Sequence, residues 1–291
     1  MKRLGACLVV AVAVVAATTH GPSAGEARVF GLPPALTSAD AVGRAIASAV
    51  ADGFDTLQAP LELLAGTDTR GLAFDALDEV IRQAQQRRLR VHAVVVVGLA
   101  APGAALPAAR DHVLYQHPEW LMIPRALGIE LREMDPRHPA YLGQLMRWAR
   151  ANASEGVYLS PLYPEAAAYL TTALGRALRR YAVDEITLDL RAPGSDFDFS
   201  RRALEVFRTA LRPTLPPAER RRMDEVEQID PFAWAEEYPA EWTRFQRERW
   251  DSLLAMLRGV AATERPGTVV TATLSVGGSP ADQPAAATGS R

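Results

Sequence analysis

Asp189 closes a short β-branched run, Ile186-Thr187-Leu188, and is followed by Arg191, Pro193, Gly194 and two further acids, Asp196 and Asp198. A carboxylate leaving a buried strand into a turn rich in Arg, Asp, Pro and Gly is how α/β barrels present a reactive side chain. Placed rigidly at a strand end, Asp189 has the position of a base or nucleophile, with Arg191 beside it as a cation. The alternative is structural: an Asp that caps the following turn or pairs with Arg191. Asp196 and Asp198 are i, i+2 acids on a Gly-containing loop. They either supply a second carboxylate and bind ligand hydroxyls, or solvate the loop and cap a helix starting near Ser200. They lack the ligand count of a calcium loop, and we expect no metal.

Other candidates are spread along the chain. His92 lies within a run of valines, where it either donates to a ligand in a barrel mouth or is satisfied by a neighbouring backbone group. Glu119 and Trp120 follow His117 on a loop. The Trp120 indole either stacks on a ligand ring or packs the loop onto the body of the domain. Glu130 and Asp135 are acids on the same insertion, with no strong case for either. The chain carries no phosphate-cradling Gly-rich loop, no His-Glu-x-x-His and no Gly-x-Ser-x-Gly elbow, and we expect no cofactor.

The elements that must position these residues read as alternating strands and helices. Strands are expected over 28–32, 54–61, 90–97, 186–189 and 269–276. The segment 90–97, Arg-Val-His-Ala-Val-Val-Val-Val, is the continuous apolar run of a strand buried in a parallel sheet. Helices are expected over 41–51, 74–87, 140–153, 165–181, 200–212 and 241–260, from caps, Pro starts and apolar positions at helical spacing. The stretch 98–109 reads as a flexible loop, 156–160 as a short extended piece and 213–222 as exposed. Such alternation argues for repeated β-α units.

The chain has 291 residues, 48% of them hydrophobic, enough for one large core. Its formal net charge of −2 gives no basic field for nucleic acid or an anionic membrane. Lys2 and Arg3 precede an apolar run, Leu8 to Ala17, too short to span a bilayer, followed by small residues. We expect a signal peptide over 1–27, a secreted or periplasmic mature protein without a membrane segment, one domain over 28–276, and a disordered Gly/Ser/Pro/Ala-rich tail over 277–291. Cys7 precedes the apolar run and so does not fit a lipoprotein box. Once it leaves with the signal, no disulfide, thiolate or Cys-based zinc chemistry remains.

Several stretches together resemble the glycoside-hydrolase-like family 10 domain, a secreted bacterial barrel family. They are Phe54 to Leu57, Leu89 to Ala93, His117 to Met122, Asp135 to Pro139, Thr187 to Asp189, Pro193 to Ser200 and Glu241 to Trp250. Two departures stand out. The family pattern Leu-Asp-Tyr-aliphatic-Arg-Tyr-Pro is here Leu188-Asp189-Leu190-Arg191-Ala192-Pro193, one residue shorter and without either Tyr. The family also continues through three more strands after the one matching Val269 to Val276. The resemblance implies a (β/α)8 TIM-barrel type of α/β fold, incomplete at about five to six strands. It implies a glycoside hydrolase acting on a carbohydrate at the C-terminal face of the sheet. Asp189 is then the catalytic carboxylate, and Arg191, His92, Asp196, Asp198, Glu119 and Trp120 surround the substrate. A single well-placed carboxylate and the absent Tyr positions fit an alternative, a non-catalytic glycan-binding or truncated relative.

Overall fold

The computed structural model describes residues 27–33, 36–61, 63–64, 75–103, 106–107, 110–152, 154–194 and 196–276. The expected signal segment up to residue 26, the loop from Gly66 to Gly71 and the expected tail over 277–291 lie outside the described residues. The strands are β1 (Val29–Gly31), β2 (Thr56–Pro60), β3 (Arg90–Val97), β4 (Leu99–Pro102), β5 (Gly156–Tyr158), β6 (Glu185–Ala192) and β7 (Val269–Val276). The α-helices are α1 (Ala39–Ala51), α2 (Ala76–Gln86), α3 (Val113–Gln116), α4 (Arg125–Arg132), α5 (Pro139–Ala151), α6 (Pro164–Arg180), α7 (Arg201–Leu211), α8 (Pro217–Glu227), α9 (Ala233–Glu237) and α10 (Pro239–Glu264).

Five strands form one parallel sheet in the order β1-β2-β3-β6-β7. Parallel neighbours need a crossover, and helices supply it. Several helices begin where a side chain satisfies one of the first amides, and others begin at a proline. The Ser38 hydroxyl accepts from Ala41 N at 3.2 Å to start α1, and the Asp75 carboxylate accepts from Asp78 N at 3.1 Å to start α2. Pro164 and Pro239 open α6 and α10, where a missing N–H is no loss.

Period-two alternation divides the sheet into two unlike faces. Leu57 and Ala59, then Val91, Ala93, Val95 and Val97, then Ile186, Leu188 and Leu190 are buried. They share one apolar cluster with Ile46 of α1, Val80 and Ile81 of α2, Leu170 and Leu174 of α6, and Leu253 and Leu257 of α10. The opposite face carries Gln58, Arg90, His92, Glu185, Thr187, Asp189, Arg191, Thr271 and Thr273, most of them partly or fully exposed. Helices therefore cover the outside of an open arc, and the inner face is polar.

Between β3 and α6 the chain makes an excursion. β4 pairs antiparallel with β5, and a single bridge joins Leu121 to Leu159. The segment at 156–160 is thus part of this ribbon and not a strand of the main sheet. The stretch at 98–109, expected as a loop throughout, begins as a strand. Gly98 makes the departure possible. Its φ is +94°, and a Cβ there would lie 2.6 Å from the Arg191 carbonyl and 2.8 Å from the Trp250 ring.

Two further differences from the sequence reading matter for the site. β6 continues three residues beyond Asp189, because β7 pairs with it along its whole length, from Glu185↔Val269 to Ala192↔Val276. Asp189 therefore lies inside the strand and not at its exit. The Pro- and Arg-rich stretch at 213–222 leads into helix α8, of which only Met223 is fully buried. Its few apolar residues left no periodic signal. Helices α7 to α9 and the start of α10 close a second apolar cluster around Phe207, Trp234, Trp242 and Phe245.

Candidate functional site

The inner face near the C-terminal ends of the strands gathers the charged residues. Asp189 and Arg191 are i, i+2 on β6 and so point to the same side. Arg191 grips one Asp189 oxygen with two donors, Nε to Oδ2 at 2.8 Å and Nη2 to Oδ2 at 2.7 Å. The other oxygen, Oδ1, accepts from the Thr273 hydroxyl of β7 at 3.2 Å. The remaining Arg191 donor, Nη1, reaches Glu155 Oε1 at 3.1 Å. The Asp189 bond raises the Arg191 pKa, and burial opposes the rise. One guanidinium thus lies between two carboxylates. Side-chain exposure is 12% for Asp189, 33% for Arg191 and 35% for Glu155, so the Arg191 and Glu155 end is the open one. Tyr158, at the end of β5, stands beside them. Burial raises its hydroxyl pKa and the Glu155 charge adds to the rise.

Glu155 is absent from the sequence candidates. It sits in the turn before β5, 36 residues from Arg191 in the chain. Only the folding-over of the β4–β5 ribbon brings it to β6, and its one sequence signal is its place just ahead of the extended Gly-Val-Tyr piece.

His92 occupies the same face at a different depth. It pairs with Glu185, whereas Val96 pairs with Asp189. Four residues of strand place it about 13 Å further toward the N-terminal end. There its Nε2 lies 2.8 Å from Thr187 Oγ1, which is 2.7 Å from Thr271 Oγ1. Burial lowers its pKa, and Glu185, with an oxygen 4.0 Å from Nδ1, opposes this. The structure does not bring His92 to Asp189.

Glu119 and Trp120 lie on a single 3-10 turn, Pro118–Trp120. His117 bonds Glu119 Oε1 through Nδ1 at 3.0 Å, and its ring stacks on Trp120 at 3.8 Å and 5°. Trp120 is buried, with Tyr169 edge-on at 6.2 Å, so its indole packs the loop and one of its faces is already covered.

Asp196 and Asp198 part company. Asp196 is exposed, and its backbone carbonyl accepts from Arg125 N at 2.8 Å. Asp198 is 1% exposed, and its Oδ1 accepts from Ile123 N at 3.0 Å and Ser200 N at 3.1 Å. Burial pushes the Asp198 carboxyl above the usual range, against the pull of the Ile123 amide and the Ser160 hydroxyl. The charges of Asp198 and Glu119 both bear on Tyr141 and Tyr163, whose pKa values are raised mainly by burial. The sequence candidates therefore divide into a strand pair, Asp189 and Arg191, a loop group around Asp198, and His92 on its own. Among the described residues no cluster of three or more His, Cys, Asp or Glu side chains could hold a metal ion.

Residues 56–271 match the family described as glycosyl hydrolase-like 10. The chain belongs to this family. As a glycosyl hydrolase-like 10 chain it also shares its fold with solved glycosidases. An alpha-L-fucosidase isoenzyme 2 from Paenibacillus thiaminolyticus superposes with a TM-score of 0.51 at 12% identity, over 85% of this chain and 32% of that one. An alpha-galactosidase from Lactobacillus brevis gives a TM-score of 0.46 at 12% identity, over 87% of this chain and 28% of that one. The chain spans about a third of the length of the fucosidase. Curated proteins yield no match. At this identity the likeness is one of fold: a five-stranded parallel arc of the TIM-barrel type with helices outside.

Proposed function

We propose that this glycosyl hydrolase-like 10 chain is an exported protein that hydrolyses a glycan at the C-terminal end of its sheet, with Asp189 and Glu155 as the working carboxylates. The observation that carries the reading is the guanidinium of Arg191 between them. Glycoside hydrolysis needs two carboxyl groups several ångströms apart, roughly 5 to 9.5 Å depending on stereochemistry, one as nucleophile or base and one as acid. A shared guanidinium holds two carboxylates at that order of separation. Asp189, gripped by two Arg191 donors and by Thr273, is the ionised partner. Glu155, more exposed and on a turn, is the group able to reach a leaving oxygen. Arg191 orients both.

A second reading has its own support. Both Asp189 oxygens are engaged by the chain's own side chains, Oδ2 by Arg191 and Oδ1 by Thr273. A carboxylate so occupied suits a site that binds a carbohydrate without cleaving it. One experiment separates the two. Full-length protein, Asp189→Asn and Glu155→Gln are assayed for reducing-end release and for binding across a panel of polysaccharides and aryl glycosides, with circular dichroism as the check of folding. Hydrolysis is expected in the parent and a loss of about a hundredfold or more in each variant. Equal release by parent and Asp189→Asn removes Asp189 from the mechanism. Binding without release by all three supports the second reading, and neither binding nor release overturns both.

A further inference from the structure

Glu155 lies on a turn, and turns ordinarily leave a long side chain free to move. This turn is pinned from several directions. Ahead of Glu155, the Ser154 amide donates to the Ala149 carbonyl in the last turn of α5 at 2.9 Å. The Ser154 hydroxyl donates to the Gly156 carbonyl at 3.0 Å and accepts from the Gly156 amide at 3.4 Å, a bracket that spans Glu155. The Glu155 carbonyl accepts from the Gly103 amide at 2.5 Å, just past the end of β4. Behind it, Gly156 runs so close to β4 that a Cβ would lie 1.9 Å from the Ala101 carbonyl oxygen and 2.9 Å from its carbon. Both obstacles are backbone, so no rotamer change relieves them, and a φ of +156° is a further bar to a side chain.

The carboxylate is held at its other end. Arg191 Nη1 donates to its Oε1 at 3.1 Å, and the Tyr158 hydroxyl hydrogen-bonds to it and feels its charge. Tyr158 is itself buried, its ring edge-on to Phe197 at 5.7 Å. The ribbon therefore meets β6 twice through one residue. Gly98, at its start, packs against the Arg191 carbonyl, and Glu155, before its return strand, meets the Arg191 guanidinium. The Leu159 amide closes the circuit by donating to the Gly98 carbonyl at 2.7 Å. A flexible side chain fixed at both backbone and head is ordered when the protein folds and not when a ligand binds.

We propose that the Ser154-Glu155-Gly156 turn is a rigid seat that sets the Glu155 carboxylate against Arg191 before any ligand arrives, with Gly156 and Ser154 as its positioning residues. The chemical role of Glu155 rests on the function proposed above, while the seat stands on the backbone contacts. Tyr158 reports on the seat without any substrate. Burial raises its hydroxyl pKa first and the Glu155 charge second, so moving that carboxylate away lowers it.

Full-length protein carrying [¹³Cζ]tyrosine is titrated into alkali, with the Tyr158 resonance assigned by its loss in Tyr158→Phe and circular dichroism as the check of folding. Glu155→Gln should lower the Tyr158 midpoint. Gly156→Ala should lower it too, and should add nothing in the Glu155→Gln background, because both act through one carboxylate. A midpoint unchanged in Gly156→Ala, or lowered equally in both backgrounds, overturns the seat. Ser154→Ala is the milder variant should Gly156→Ala fail to fold. The Ser154 hydroxyl also lowers the Tyr158 pKa directly, so the two backgrounds are compared. A smaller rise in the parent than in the Glu155→Gln background is expected, and equal rises overturn the seat. Hydrolysis separates the seat from the reading beneath it. Gly156→Ala should lower kcat about tenfold to a hundredfold at nearly constant KM, as a displaced but intact group does. Full kcat in Gly156→Ala beside an inactive Glu155→Gln overturns the seat and leaves the proposed function standing. Full activity in Glu155→Gln overturns the role given to Glu155, a failure distinct from that of the seat, which the Tyr158 midpoints judge.

Discussion

Asp198 gives the protein a handle on pH. Its folded-state pKa is raised by complete burial, opposed by hydrogen bonds from Ile123 and Ser200. For an acid with a raised folded value, the stabilising contribution is whole below the ordinary carboxylate range, near 4, and is lost as pH rises through the raised value. The melting temperature of the parent should therefore fall over that window, and Asp198→Asn should flatten the fall. Parallel curves for the two proteins would show that Asp198 titrates normally. Gly98 supports a second prediction at this scale. With a φ of +94° and a phantom Cβ 2.6 Å from the Arg191 carbonyl, Gly98→Ala should destabilise by about 1–3 kcal/mol in chemical denaturation, through backbone strain and displaced β6.

The reach of sequence reasoning differs between these residues. Asp189 and Arg191 were readable as a pair from their closeness in sequence, but the strand was expected to stop at Asp189, so the alternation that puts both on one face of β6 was not. Asp196 and Asp198 have the same spacing, yet they separate, since the turn between β6 and α7 has no such alternation and buries one while exposing the other. Glu155 was out of reach, since it depends on a ribbon crossing 36 residues of chain.

At the level of elements, the strands with strong composition were found with their ends: β3 as a valine run and β7 as Val269 to Val276. The capped helices were found within a residue or two. β4, Leu-Ala-Ala-Pro, has neither alternation nor length and owes its existence to pairing with β5. The ends of β6 were misjudged because a charged pair inside a strand looks like a turn until a neighbouring strand is known. Capping carries a test. The Asp75 carboxylate starts α2 through Asp78 N, accepts from the Tyr181 hydroxyl at 2.8 Å and pairs with Arg180. Asp75→Ala removes all three at once and should destabilise by about 1–2 kcal/mol, measured as a lowered urea midpoint at constant slope. The same change should lower the pKa of the Tyr181 hydroxyl, pushed up to about 12 by burial first and by Asp75 second, while leaving the part due to burial, in a spectrophotometric titration.

For the molecule as a whole, α10 is the shared member. Its first turns hold Trp242 and Phe245 in the smaller apolar cluster, and its later turns hold Trp250, Leu253, Leu257 and Ala261 against the sheet and α6. One continuous helix through both clusters should make them unfold together, giving coincident transitions by tryptophan fluorescence and far-ultraviolet dichroism. Two separate transitions would show that the clusters are independent. Leu257→Ala, at a position with no exposure, should cost about 2–5 kcal/mol and shift both probes equally.

The turn at Gly98 has a consequence for how this architecture tolerates change. The point where the chain leaves the sheet is clamped between a carbonyl and an indole, and no side chain fits there. The excursion leaves from that clamp, is tied back through Ile123, Arg125 and Glu155, and returns to the layer through α6. Insertions and deletions at the far end of the excursion should therefore be accommodated without disturbing the parallel strands, while any substitution at its root should be felt at Arg191 and so at the Asp189 pair.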